Sequence, residues 1–490
     1  MTRLARAGYI SAAVVSALVV VVSLGGYAIY RHLAGNIHVV NVGGLSNRSV
    51  YGAQNILVLG SQTRKGQGRG FGKNPSLNTS NSDNLLLVHL DPTHTHAIVL
   101  SIPRDTMVYE PGCKARKTIG YGTWGPYQSA IIDGAMNIGG PSCAAKTVED
   151  LTGLKLDHFV MFNFNSFRAM VDAIGGVEVC VPPSGYHDPY SNLNLSGGKH
   201  LLTYNQALAY VRTRHGVQAQ GNVGGDLPRI ELQQAFVSSI IQKVNSQGIL
   251  SNSVELLKVA NTATQSLTVD QGLNSVTNLL GLARSLTHLH AKNVTLMTMP
   301  TVPDTNPGAS GRLLPAQPAD DVIFQMILHG QTWHHRLPTM ATGKVKVRVL
   351  NGAGTAGLAG RTAGQLRKLG YDVIGVGNAP ATAATALTYS GTAQADSAYT
   401  LMTALKSAPA VRNLLAEPAR QTGSPGPVTL TLGSNFHGVN QLAPGHAAKG
   451  HHAARGGSGS QGAGASVQTR NAGANICSGL PSANPHPGRP

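Results

Sequence analysis

The chain has 490 residues, enough for two or three domains, and a formal net charge of +17, which suits polyanionic partners such as nucleic acid, acidic lipid head groups or phosphorylated polymer. Four cysteines are too few for a disulfide scaffold.

Gly8 to Tyr30 carries no charged residue and is long enough to cross a hydrocarbon core, so residues 8–30 are predicted to be a transmembrane helix. A cleaved leader has a shorter apolar region and a small-residue cleavage site, whereas this run ends in Ile29-Tyr30-Arg31. Arg3 and Arg6 precede it and only Arg31 follows closely, so residues 1–7 are expected in the cytoplasm and the rest outside. That topology removes nucleic acid as a partner. No second stretch is apolar enough to span a bilayer.

A polar stalk is expected over residues 31–52. Short apolar runs then alternate with helical patterns: strands at Asn55–Gly60, Asn84–Leu90 and Ala97–Ile102, and helices near 144–152 and 165–174. A strand follows at Val177–Val181, a helix and strand over Gln206–Arg214, and a long helix from Pro228 past Val244. Further helical sequence fills 253–286, then comes a strand at Asn293–Met299 and a helix near 319–329. The order predicts an α/β domain over 53–335, with a mixed central sheet flanked by helices. After a linker at 336–343, a small α/β unit is expected over 344–438, with strands at Lys344–Leu350, Asp372–Val376 and Pro427–Leu432 and a helix at Ala359–Leu369. Residues 439–490 are rich in Gly, Ala, Ser and His and are predicted to be disordered. Cys113 and Cys143 both sit in turn-like surroundings and are predicted to pair. Cys180, in an apolar strand, and Cys477, in the tail, are predicted to be unpaired.

The chemistry-bearing residues cluster in two places. In Tyr210-Val-Arg-Thr-Arg214, read as a strand, Arg212 and Arg214 project to one face. Beyond it, Gly225-Asp226-Leu-Pro228-Arg229 leads into a helix that also carries Gln233, four residues on and on the same face as Arg229. Guanidinium forks at the positive end of a helix suit pyrophosphate, and the same residues also suit surface ion pairs with Asp226 and Glu231. The second place is the end of Ala97–Ile102, where Ser101-Ile-Pro-Arg104-Asp105-Thr106 follows, with Ser82-Asp83 opening a neighbouring strand. Strand ends are where α/β sheets place ligands; Asp83 is a candidate Mg2+ ligand and Arg104 a candidate stabiliser of a transferring phosphoryl group.

In order and spacing these segments resemble the motif set of the LytR-CpsA-Psr family. The matching stretches are Asn55-Ile-Leu-Val-Leu-Gly60 with Arg64, Ser82-Asp83, Ser101 to Thr106, Thr147 to Gly153, Val171 to Val177, Ala207 to Arg214 and Gly225 to Gln233. Residues 344–438 resemble the LytR C-terminal domain. The resemblance implies a membrane-anchored, Mg2+-dependent transferase that takes a glycopolymer from a polyprenyl-pyrophosphate donor and attaches it to a cell-wall acceptor through a phosphodiester. On that basis Asp83, Arg104 and Arg229 are the catalytic candidates. Arg64, Arg104, Arg212, Arg214 and Arg229 are expected to contact pyrophosphate, with Gln233 in support, Asp105 and Asp226 orienting arginines, and Asp83 holding the metal. The sequence departs from the family where Gln62 stands for a metal-binding Asp, Asn81 for an Arg and Leu232 for an Arg, so weaker Mg2+ binding is expected. A non-catalytic binder of anionic wall polymer or prenyl-phosphate lipid is the competing reading. Gly352-Ala-Gly354-Thr-Ala-Gly357 has the form of a dinucleotide-binding turn, but the unit is short for that fold and the glycines suit a tight strand-to-helix turn.

Overall fold

A computed structural model describes residues 3–46, 52–61, 82–114, 123–124, 127–215, 217–218, 227–246, 252–333, 337–407, 409–413, 426–440, 467–478, 480 and 482–483. The first helix runs Arg3–Asn36, and its segment Ala12–Asn36 has a mean hydropathy of 2.3, apolar and long enough to cross a membrane. Val14 to Tyr30 present their large apolar side chains outward, as a lipid-facing span would.

Residues 31–46 of the stalk expected over 31–52 are instead built into the domain. The helix continues six residues past Tyr30, Leu33 is buried, and the His32 ring meets the Asn261 side-chain oxygen at 3.1 Å. His38–Val39 then pairs in parallel with Thr268–Val269 at the sheet edge, and Ser46 N–H donates to Leu156 O at 2.9 Å. Two residues of strand leave no periodicity to read, because the partner that makes them a strand lies more than two hundred residues away.

The central sheet has eight strands in the order His38–Val39, Thr268–Val269, His158–Phe162, Gln54–Ser61, Ser82–Leu90, Ala97–Ile102, Val294–Thr298, Thr469–Asn471. Parallel and antiparallel neighbours alternate irregularly, so the sheet is mixed, as expected. Its inner strands are near-continuous apolar runs because both faces are covered. Leu57, Leu59, Leu85, Leu87 and Leu100 pack with Val148 and Phe324 on one side. Ile56, Val99 and Leu296 pack with Val237, Ile241 and Leu282 on the other. A separate apolar cluster joins Val177, Val179, Leu202, Tyr210, Leu232 and Phe236, so the helix Leu227–Ser246 serves two cores.

The tail expected to be disordered contributes structure in its described part. Thr469–Asn471 pairs antiparallel with Val294–Thr298, and Ala472 is fully buried and accepts from Ser238 Oγ and Gln242 Nε2 at 2.9 and 2.6 Å. A disulfide joins Cys477 to Cys180, 297 residues apart, which corrects the expectation that both are unpaired. Residues 441–466 lie outside the described residues. The Cys113–Cys143 disulfide forms as predicted.

The second unit is a five-stranded sheet in the order Asp372–Asn378, Lys346–Asn351, Val428–Leu432, Ala386–Tyr389, Ala410–Asn413, with helices Leu358–Lys368 and Ala395–Thr403. Its glycine-rich turn follows from backbone demands. A Cβ on Gly352 would meet Thr382 Cγ2 at 2.7 Å and Pro380 O at 3.0 Å, and Gly357 caps the helix at φ +70°.

Helix Ala319–Leu328 lies between the two units and is buried on all sides, because it packs on the large sheet and also against Ala395–Thr403. The Tyr389 hydroxyl donates to Asp321 Oδ2 across this joint. Asp320 beside it is 1% exposed; burial first, then the Asp321 charge, push its carboxyl well above the usual carboxylate range. The folded chain therefore holds this proton more tightly than the unfolded chain. The resulting stability is complete below about pH 4 and is lost as pH rises through the folded-state value. Asp320→Asn is expected to gain thermal midpoint over the parent by an amount that grows from pH 5 to pH 8; a pH-independent difference would contradict this.

Candidate functional site

Two antiparallel neighbours bring the first cluster together. Leu85 pairs with Ile102, so Asp83, near the start of Ser82–Leu90, and Arg104, two residues past Ala97–Ile102, meet at one end of the sheet. Pro103 O accepts from Thr106 Oγ1 at 2.6 Å and from Thr106 N at 3.1 Å, fixing the turn that carries Arg104. Asp105 Oδ2 lies 3.5 Å from Arg104 Nε, in the orienting position expected for it.

The helix Leu227–Ser246 delivers Arg229 to the same point from its first turn. Gln234 anchors that helix on the strand ends, donating to Thr298 Oγ1 at 2.9 Å and to Ser101 Oγ at 3.5 Å while 5% exposed. The sequence reading missed Gln234. Its signal is its place on the inward stripe Ile230, Gln234, Val237, Ile241, where a polar residue needs buried partners.

Arg214 arrives by a route the sequence reading had wrong. Residues 206–214 do not form a helix followed by a strand. A Thr203–Gln206 capping box opens the helix Tyr204–Arg212, which ends as Thr213 Oγ1 donates back to Ala209 O at 2.9 Å. Arg212 and Arg214 therefore do not alternate on a strand. The Arg212 guanidinium lies 5.0 Å from the centre of the Phe164 ring, and Arg214 turns toward Asp83. The turn is held by buried Asp188, whose Oδ2 accepts from Arg214 N at 3.0 Å and His215 N at 3.2 Å. Gln233 Nε2 donates to Val211 O at 3.1 Å, tying that helix end to the Arg229 helix.

Asp83 is the point of convergence. Its Oδ1 accepts from Arg104 Nη1 at 2.7 Å and Arg229 Nη1 at 3.3 Å, with Arg214 Nη2 at 3.8 Å, and its carbonyl accepts from Arg229 Nη2 at 3.1 Å. The Arg229 side chain is 4% exposed, Arg104 17% and Arg214 37%, so the cluster grades from buried to open. Guanidiniums sharing one oxygen repel one another by about 4 kcal/mol per pair at 4 Å and an effective dielectric of 20. Their contacts of 2.7, 3.3 and 3.8 Å to the shared carboxylate offset that repulsion and hold the forks together. Three guanidinium forks gathered at one strand end, with Asp105 beside Arg104, suit the oxygens of a phosphate-bearing anion. Arg64, Asp226, Gln62 and Asn81 lie outside the described residues.

Among the described residues, the one set of three side chains spaced to ligate a metal is Glu110, Cys113 and Cys143, and both sulfurs there are in a disulfide. Asp83 with its three arginines is not a metal site by itself; it suits Mg2+ only alongside an anion that adds oxygens and offsets the positive charge.

The model of the LytR_cpsA_psr family matches residues 28–323, and that of the LytR cell envelope-related transcriptional attenuator matches residues 344–436. The chain is similar to cell wall biosynthesis protein LcpA of Corynebacterium glutamicum, with 30% identity over 404 residues, 75% of this chain and 76% of that protein. It is 28% identical over 240 residues, 48% of this chain and 65% of the relative, to the polyisoprenyl-teichoic acid–peptidoglycan teichoic acid transferase TagU of Oceanobacillus iheyensis. A solved structure of the LytR-Csp2A-Psr enzyme from Actinomyces oris aligns over 59% of this chain and 95% of that one, at 22% identity and a TM-score of 0.43.

Proposed function

The chain belongs to the LytR-CpsA-Psr family, and from that membership we propose that it is an extracytoplasmic phosphotransferase moving a glycopolymer from a polyprenyl-pyrophosphate donor to a cell-wall hydroxyl. The observation that carries the reading is the convergence of Arg104, Arg214 and Arg229 on Asp83. A pyrophosphate diester carries two negative charges and presents oxygens to all three forks. The acceptor hydroxyl attacks the glycan-side phosphorus, the bridging P–O bond breaks, and the hydroxyl proton leaves with prenyl phosphate, so a phosphodiester joins polymer to wall. Phosphoryl transfer depends on positioning and on neutralising spread charge. Arg104 and Arg214, the more open pair, face the entering donor, while buried Arg229 and the helix end behind it fix the cluster. Asp83 draws the three guanidiniums together and is the residue that would hold Mg2+, which would supply further neutralisation of the pyrophosphate.

Orientation rests on the charge flanks of the first helix, with Arg3 and Arg6 on the short side, and on the two disulfides, which persist in oxidising compartments. The competing reading, a non-catalytic binder of anionic wall polymer or prenyl-phosphate lipid, draws on Gln62, a weaker metal ligand than a carboxylate.

A Mg2+ titration of polymer transfer separates the two. The parent is expected to be active. Gln62→Asp should lower the Mg2+ concentration for half-maximal rate, and Asp83→Ala should nearly abolish turnover while the protein stays folded. Full activity in chelator would remove the metal from the reaction, and tight donor binding with no transfer at any Mg2+ concentration would favour the binder.

A further inference from the structure

We propose that helix Ser253–Ser266 is a membrane-contact element, its exposed apolar residues covered by the acyl chains of outer-leaflet phospholipid; this rests on the reading of the first helix as a transmembrane span. Val254 is 74% exposed and Leu257 39% exposed, an unusual pairing on the outer face of a helix whose inner face is packed. Together with Ala28, Ile29 and Leu33 of the first helix they line a cleft of about 480 Å³, with Lys258 and His32 also at its walls. The cleft shares Leu33 with a second, almost wholly apolar pocket of about 160 Å³ that runs inward between Ser253–Ser266 and Val276–Ser285.

The depth of this cleft follows from the length of the span. The uncharged run Gly8 to Tyr30 of the helix Arg3–Asn36 covers about 34 Å at 1.5 Å per residue, against a hydrocarbon core of about 30 Å. Residues 28–33 therefore stand where the core gives way to head groups, and lipid that coats them also meets Val254 and Leu257 across the same cleft. Lys258, exposed one residue on, reaches toward head-group phosphate while its stem stays against the apolar wall. The junction is tied at two points: the His32 ring meets Asn261 of this helix at 3.1 Å, and His38–Val39, just past the first helix, pairs with Thr268–Val269, just past the second.

The consequence for the site is a fixed height. Ser253–Ser266 packs on Phe164–Ala173, which packs on Tyr204–Arg212, and the end of that helix carries Arg212 and Arg214. A lipid-linked donor would then meet the arginine cluster at a set distance from the leaflet, without a flexible stalk.

The test uses the full chain in phosphatidylglycerol–phosphatidylcholine nanodiscs, with single cysteines introduced for an environment-sensitive dye. The four native cysteines are all in disulfides and do not label. Val20→Cys reports the span, Leu257→Cys and Val254→Cys the proposed contact, and Ile374→Cys, exposed on the second unit, the aqueous reference. The expected result is blue-shifted emission quenched by doxyl-labelled phospholipid at 20, 257 and 254, and neither effect at 374. Quenching at 20 with none at 257 and 254 overturns the proposal and leaves the anchor intact. No quenching at 20 overturns the anchor itself. Equal quenching at 374 shows non-specific adsorption and also overturns the proposal. Relief of quenching at 257 by added prenyl-pyrophosphate would assign the cleft to the donor lipid and overturn it in favour of that occupant.

Discussion

Arg104→Ala is expected to lose affinity for prenyl-pyrophosphate by about 10 to 150-fold, the equivalent of a charge-assisted contact worth about 1.5 to 3 kcal/mol, with nearly unchanged thermal stability. Arg229→Ala is expected to lose at least as much binding and also to unfold several degrees earlier. The difference comes from burial. Arg229 is 4% exposed and bonds both the Asp83 carboxylate and its backbone carbonyl, so its removal opens a cavity and takes one partner from each of those groups. Arg104 is more exposed, and its turn is held by Thr106 rather than by its own side chain. The two variants are compared by calorimetric midpoint and by titration with a short-chain prenyl-pyrophosphate. Equal donor affinity in parent and Arg104→Ala would make the cluster an ordinary ion-pair network.

The second large effect belongs to the tail. The Cys180–Cys477 bond closes a loop of 297 residues, and in the chain-entropy model a loop of that order is worth about 5 to 6 kcal/mol. Cys477→Ser should cost an amount in that range and also release the Thr469–Asn471 strand. Release would leave the edge of Val294–Thr298 unpaired and raise its amide exchange, with self-association as a further consequence of a bare edge. Cys113→Ser, which opens a loop of 30 residues, should cost less and leave exchange at Val294–Thr298 as in the parent. An unchanged midpoint in Cys477→Ser, or unchanged exchange at Thr295 to Met297, would contradict the tail's structural role.

These two sets of residues also mark where the sequence could and could not be read. The strands Gln54–Ser61, Ser82–Leu90 and Ala97–Ile102 were legible because burial on both faces writes long apolar runs, whereas Asp83 and Arg104, ordinary turn and ion-pair residues by their local pattern, stand out only through the resemblance of their segments to the family's motifs. Tyr210 to Arg214 misled because Tyr, Val and Thr favour strands, while the deciding capping box lies upstream at Thr203 and Gln206. His38–Val39 and Thr469–Asn471 are strands only because a sheet edge is waiting for them, and such pairings leave no pattern in their own residues. Cys477 looked unpaired for the same reason: its partner is brought close by a strand in a segment with almost no large apolar side chains.

In phosphoryl transfer the bond broken is the phosphoanhydride between the two phosphorus atoms of the donor. Mass spectrometry of the lipid released when the full-length protein, in proteoliposomes, is given prenyl-pyrophosphate glycan, Mg2+ and wall acceptor tests it directly. The expected lipid product is prenyl monophosphate, formed in step with acceptor that has gained glycan through a phosphodiester. Release of prenyl pyrophosphate would mean glycosyl rather than phosphoryl transfer and would contradict the account.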